Sequence, residues 1–160
     1  MEVFLTLADF SIALAGFTSV VIVFVQQGER WRDVDAFRIR NALFLSIASA
    51  FLSFFPFLFQ LLHFSEKNIW ANCSYLFIMA VFTFWVIQIN RYKKLSIEDK
   101  ELIPMKVIIM VSTVLFTAII LQIVNVLIYC EPGLYMLSIL LLLFLSFFAF
   151  VRSIFYRPKS

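Results

Sequence analysis

Five uninterrupted apolar stretches dominate this 160-residue chain, over about 3–25, 41–63, 69–90, 103–129 and 134–151. A helix needs about 20 apolar residues to traverse a hydrocarbon core of ~30 Å, and each run meets or approaches that length. A transmembrane β-barrel would show segments of roughly ten residues that alternate apolar and polar. These runs are apolar all round.

The composition agrees. The chain is 63% hydrophobic and 14% charged, with 21 Phe; a soluble domain is about 45–50% apolar and about 25% charged. A water-soluble fold of this size could not hide so much apolar surface, which excludes a soluble enzyme, a disordered chain and a disulfide-stapled secreted module. The longest polar stretches, 26–40 and 91–102, are too short to hold a core, since chains below about 40 residues rarely fold unaided. The fold class expected is therefore an all-α membrane protein. It is a single domain over 1–160, a bundle of about five transmembrane helices.

Lys and Arg favour the cytoplasmic side of membrane proteins. Arg30, Arg32, Arg38 and Arg40 follow the first span; Arg91, Lys93, Lys94, Lys100 and Lys106 surround the loop after the third; Arg152, Arg157 and Lys159 close the tail. Lys67 alone falls on the other side. This pattern predicts an outside N-terminus, a cytoplasmic C-terminus and a multi-pass protein of the plasma membrane. The net charge of +3 is then a topology signal that needs no nucleic-acid partner, and the basic rim attracts anionic lipid headgroups. Trp70, Tyr129 and Tyr135 at outer ends and Trp31, Tyr92 and Tyr156 at inner ends are placed as an aromatic belt. Met1-Glu2-Val3-Phe4 lacks a positive n-region and no A-x-A site follows, so the first span is expected to be retained.

Several local features add expectations. Asp35 and Arg38 are three apart and can pair on a helix. With Trp31, Val34 and Phe37 they suggest either a short amphipathic lead-in at the membrane surface or a solvated, topology-setting loop. Pro56 inside the second span predicts a kink, as a fixed feature or a hinge. Pro132-Gly133 suits a type II turn between the last two spans. Cys73 and Cys130 fall at outer ends, as a disulfide or as two separate thiols. Two Cys and one His in this spacing do not make a metal site, and no cofactor is expected.

The most informative pattern lies in the second span. Ser46, Ser49, Ser53, Pro56, Gln60 and His63 follow at steps of three and four, which keeps them on one helix face. A polar stripe on an otherwise apolar helix faces protein or water, not lipid. Asp9 is an intramembrane carboxylate, and such groups turn to a bundle interior and mark ion or ligand paths. Asp9, Gln60, His63, Gln122 and Asn125 all belong to the outer half and are expected to converge on one polar cavity. The competing expectation is close packing: Thr6, Ala13 and Gly16 share a face with Asp9, and small or hydroxylated residues mediate helix contact in membranes.

The run Leu7-Ala8-Asp9, then Ala15-Gly16-Phe17-Thr18-Ser19-Val20-Val21, a basic loop with Trp31, Arg38 and Arg40, and Ser53 with Pro56 resembles a group of small bacterial membrane proteins of unassigned function. Their first span reads LAxxxAGFxGVV; here Ser19 stands in place of the second Gly. The resemblance covers about the first 60 residues. It implies a bacterial inner membrane and no particular activity. No H-E-x-x-H, G-x-S-x-G or Gly-rich phosphate loop is present, so no enzyme is expected. The functional expectation is a homo-oligomeric ion channel or small-solute permeation unit. The alternative is a non-catalytic sensor, effector or partner subunit beside another membrane protein, for example in a stress or phage-defence system.

Overall fold

The computed structural model describes residues 2–26 and 33–155, with 22–26 described by backbone alone. Arg30, Trp31, Arg32, Tyr156, Arg157 and Lys159 lie outside the described residues. The helices are α1 (Glu2–Gln26), α2 (Asp33–Leu61), α3 (Glu66–Lys94), the short α4 (Ile97–Glu101), α5 (Met105–Val124, continued by a wider π turn over Asn125–Tyr129) and α6 (Pro132–Phe155). All but α4 are long and apolar enough to cross a membrane. Among the described residues there is no strand.

Two helix ends differ from expectation for local reasons. Helix α2 starts at Asp33 rather than 41. Residues 33–40 contain no Gly or Pro, and Asp33 and Asp35 in the first turn complement the partial positive charge of a helix N-terminus. Arg38 Nη1 lies 3.6 Å from Asp35 Oδ1, while Val34 and Ile39 are buried. The segment is thus the first two turns of the span, neither a surface-lying lead-in nor a solvated loop. At the α5–α6 hairpin the expected type II turn on Pro132-Gly133 is absent. Cys130 makes the reversal instead, in the left-handed region at φ 52° and ψ 48°, and Pro132 opens α6. Its fixed φ and missing N–H suit the first position of a helix.

Helix α2 is the central element, packed most extensively against α1 and α6; α5 pairs with α6, and α3 closes against α2 and α5. The outer surface is apolar: Phe10, Phe17, Phe51, Met79, Phe82, Phe116 and Phe144 are all exposed. Hydroxyls and amides fill much of the interior, including Ser11, Thr18, Ser46, Ser49, Ser74, Gln122, Asn125, Ser138 and Ser146. This inversion follows from the solvent. Acyl chains are as apolar as Leu, so little is gained by burying Leu, whereas a polar group gains a partner only inside.

The bundle is also polarised lengthwise. Arg38, Arg40, Arg91, Lys93, Lys94, Lys100, Lys106 and Arg152 gather at one end, with Asp33, Asp35, Glu98, Asp99 and Glu101. The opposite end carries Glu2, Asp9, Glu66 and Glu131 against Lys67. Trp70 and Tyr135, assigned to a membrane-surface belt, are instead buried at this second end. There they meet Phe4 and Phe77, with ring centroids 5.6–6.2 Å apart. Tyr129 is exposed.

Candidate functional site

The stripe on α2 divides in two. Ser46, Ser49, Ser53 and Pro56 are buried, whereas Gln60 and His63 are exposed. The buried part packs inside the bundle. Ser46 Oγ lies 2.6 Å from Ser146 Oγ on α6, and Ser146 Oγ donates to Ala42 O at 2.7 Å. Together they form a hydroxyl relay across the α2–α6 contact. Ser49 Oγ donates within its own helix to Leu45 O at 2.8 Å. Ser53 Oγ is buried with no hydrogen-bond partner among the described residues.

Pro56 has a specific consequence. Lacking an N–H, it leaves the carbonyl four residues back without its helical donor. That carbonyl is Leu52 O, and Tyr135 Oη on α6 donates to it at 2.8 Å. Helix α2 continues through Pro56 to Leu61, and the phenol of Tyr135 ties α6 to α2 at the carbonyl that the proline leaves free.

His63 terminates α2. Its φ of 59° is left-handed, its N–H donates to Gln60 O at 3.0 Å, and Phe64 N–H donates to Phe59 O at 3.2 Å. This is the Schellman pattern, and its usual apolar contact is supplied by the Phe59 and Phe64 rings at 5.3 Å. The position favours Gly, because a left-handed residue with a Cβ is strained by about 1–2 kcal/mol. His63→Gly is therefore expected to raise stability by about 0.5–1 kcal/mol, measured by unfolding in mixed detergent micelles. A loss of stability would mean that the imidazole is held by more than its backbone.

Gln122 and Asn125 are fully buried. Gln122 Nε2 donates to Ser138 Oγ at 2.6 Å and to Leu134 O at 3.1 Å, both on α6. Asn125 joins three elements. Its Nδ2 donates to Ser74 Oγ on α3 at 3.1 Å, and its Oδ1 accepts from Glu131 N–H at 2.9 Å. Its carbonyl accepts from Cys130 N–H at 2.6 Å, closing the π turn.

Asp9 is exposed on the outside of α1. The expected cavity of Asp9, Gln60, His63, Gln122 and Asn125 is thus not assembled within one chain. Gln122 and Asn125 are sealed inside, while Asp9, Gln60 and His63 are on the exterior. Helix α1 turns Ser11 and Thr18 inward instead. Both hydroxyls bond back to their own helix, to Leu7 O and Leu14 O. Cys73 and Cys130 are free thiols, so the disulfide considered for them is not formed. Among the described residues no group of His, Cys, Asp or Glu is arranged to hold a metal ion.

The structure adds a feature that sequence reasoning missed. At the basic end a cavity of about 170 Å³ opens among α2, α3, α5 and α6. Leu45, Phe84, Val111, Leu115, Leu145 and Phe148 line it, and Arg38, Asn41, Gln88, Tyr92 and Arg152 border it. Arg38 Nη2 and Arg152 Nη2 both donate to Leu102 O, at 2.9 and 3.4 Å, where α4 ends. Ser96 starts α4 by accepting from Asp99 N–H at 3.1 Å. Gln88 Nε2 and Oε1 and Asn41 Oδ1 are buried with no hydrogen-bond partner among the described residues, and each such orphan costs about 1–3 kcal/mol. The available signal was the presence of Asn41, Gln88 and Arg152 at span ends. Nothing in their spacing shows that they meet.

Over the described residues, fold and surface together define an all-helical protein with five helices able to cross a membrane, polar within and apolar without. No protein-family model, curated protein or solved structure matches the chain.

Proposed function

We propose that the protein is a homo-oligomeric permeation unit for small cations in a bacterial plasma membrane, with its basic end in the cytoplasm and its copies meeting along the outward face of α1. The observation that carries this reading is Asp9. It is exposed on α1, two turns from the helix start, and shares its face with Thr6, Ala13 and Gly16, which are also exposed. A carboxylate turned to acyl chains costs from about 2.5 kcal/mol at mid-bilayer, and less at the shallower depth of Asp9. Turned to a second α1, it sits beside residues small enough for close helix approach, and a Cβ placed on Gly16 would meet nothing in its own chain. A ring of such carboxylates favours cations. The buried serine stripe favours a path between copies over one through a single chain. This reading requires no catalysis and no cofactor.

The same face also suits the helix of a different membrane protein, which would make this chain a sensor, effector or partner subunit. One experiment separates the two. In a Cys130→Ser background, Ala13→Cys is expected to yield disulfide-linked dimers in liposomes. Cation flux through the unmodified protein is expected to fall about tenfold in Asp9→Asn, equivalent to roughly 1.4 kcal/mol at the barrier. Cross-linking without flux keeps the homo-oligomer and overturns permeation. A chain that stays monomeric at position 13 and carries no flux overturns the homo-oligomeric permeation unit and moves the reading to the partner subunit.

A further inference from the structure

We infer that the cavity at the basic end of the bundle is a binding site for one anionic phospholipid, with part of an acyl chain inside and the phosphate at Arg38 and Arg152. This does not depend on how copies assemble. The walls are Leu, Val and Phe, and about 170 Å³ is available. An apolar cavity of about 150 Å³ takes up a benzene-sized guest, so a stretch of hydrocarbon chain fits, and the cavity is partly open to the surroundings.

The rim chooses the headgroup. Two guanidinium groups are brought together by one carbonyl, Leu102 O, at 2.9 and 3.4 Å. That bond orients them at the cavity edge, where the Asp35 carboxylate, 3.6 Å from Arg38 Nη1, offsets part of the positive charge. Guanidinium donors match phosphate oxygens in geometry and charge. Among the described residues Gln88 Nε2 is a buried donor without a partner beside the same space. It suits an ester oxygen at the junction of headgroup and chain, and an all-apolar guest would leave it orphaned. The surplus of Lys and Arg at this end supplies longer-range attraction to an anionic surface. A zwitterionic lipid meets the walls equally well but forfeits the charge term.

The test uses the full-length protein in detergent, offered phosphatidylglycerol or phosphatidylcholine of identical chains and examined by native mass spectrometry. Wild type is expected to retain one phosphatidylglycerol per chain in at least about fivefold preference, the weight of roughly one basic residue near the headgroup. Millimolar inorganic phosphate should not displace it. The pair Arg38→Gln and Arg152→Gln is expected to bring the two lipids to parity. Ser112→Phe, which fills the cavity and leaves both arginines in place, is expected to abolish retention. Should the arginine variant fail to fold, Trp85, which lines the cavity, gives a second readout. Phosphatidylglycerol with brominated chains should quench the fluorescence component lost in Trp85→Phe at least about fivefold more than brominated phosphatidylcholine at the same mole fraction. Equal retention of the two lipids by wild type, undiminished retention by Ser112→Phe, displacement by phosphate, or equal quenching overturns the assignment.

Discussion

Asn125→Leu is expected to lower stability by about 2–3 kcal/mol, read from the midpoint of unfolding in mixed micelles. Leu keeps the branched four-atom outline of Asn and leaves no void, so the loss comes from hydrogen bonds and from fitting the larger methyl groups into a buried site. Asn125 Oδ1 is the partner of Glu131 N–H at 2.9 Å, a backbone donor in the α5–α6 turn. Without it the left-handed turn at Cys130 loses a contact that offsets its strain, and the link to Ser74 on α3 is lost too. The two effects separate. Ser74→Ala removes only the interhelical bond, and such bonds in membrane bundles average about 0.6 kcal/mol. A loss in Asn125→Leu no larger than in Ser74→Ala would show that the turn does not depend on the amide.

Tyr135→Phe is expected to cost about 1–2 kcal/mol, because it leaves Leu52 O buried and unpaired. The sharper expectation concerns Pro56. Pro56→Ala restores the N–H that normally serves the carbonyl four residues earlier, so Leu52 O then has a helical partner and the phenol becomes dispensable. In that background Tyr135→Phe should cost less than about 0.5 kcal/mol, and the coupling in a double-mutant cycle should approach the whole single-mutant effect. Additive losses would mean that Tyr135 stabilises the bundle through its ring, packed against Phe4, Trp70 and Phe77, rather than through its hydroxyl. Removing the hydroxyl leaves those ring contacts intact but also removes its contact with the buried Cys73 thiol, so the coupling to Pro56, not the single-mutant loss, reports the bond to Leu52 O.

The candidate site was legible in part. Ser46, Ser49 and Ser53 are recognisable from their spacing as one helix face, and they are buried on that face. The same periodicity includes Gln60 and His63, which are exposed at the helix end, Gln60 in its last turn and His63 just beyond it. Phe64 folds back on Phe59, and His63 leaves the helical conformation. Asp9 and Gln122 are each a polar residue within an apolar span, and no one-dimensional rule separates them. Gln122 is interior because Ser138 and Leu134 O on the facing helix receive its amide. Asp9 is exterior because the inward face of α1 is taken by Phe4, Ala8, Ser11 and Leu14.

The chain by itself determined that five helices of membrane-crossing length form among the described residues, roughly where they begin and end except for the start of α2, and that Lys and Arg collect at one end. Those properties follow from local hydrophobic length and charge, which the bilayer solvent reads residue by residue. Only the tertiary structure decided that Tyr135 would serve the carbonyl freed by Pro56. It alone decided that Asn125 would hold the last hairpin, that Asp9 would face outward, and that Arg38, Gln88 and Arg152 would border one cavity. Each of these depends on which helix lies opposite, and in a medium as apolar as the side chains themselves that choice is made by hydrogen-bond partners and packing between segments far apart in sequence.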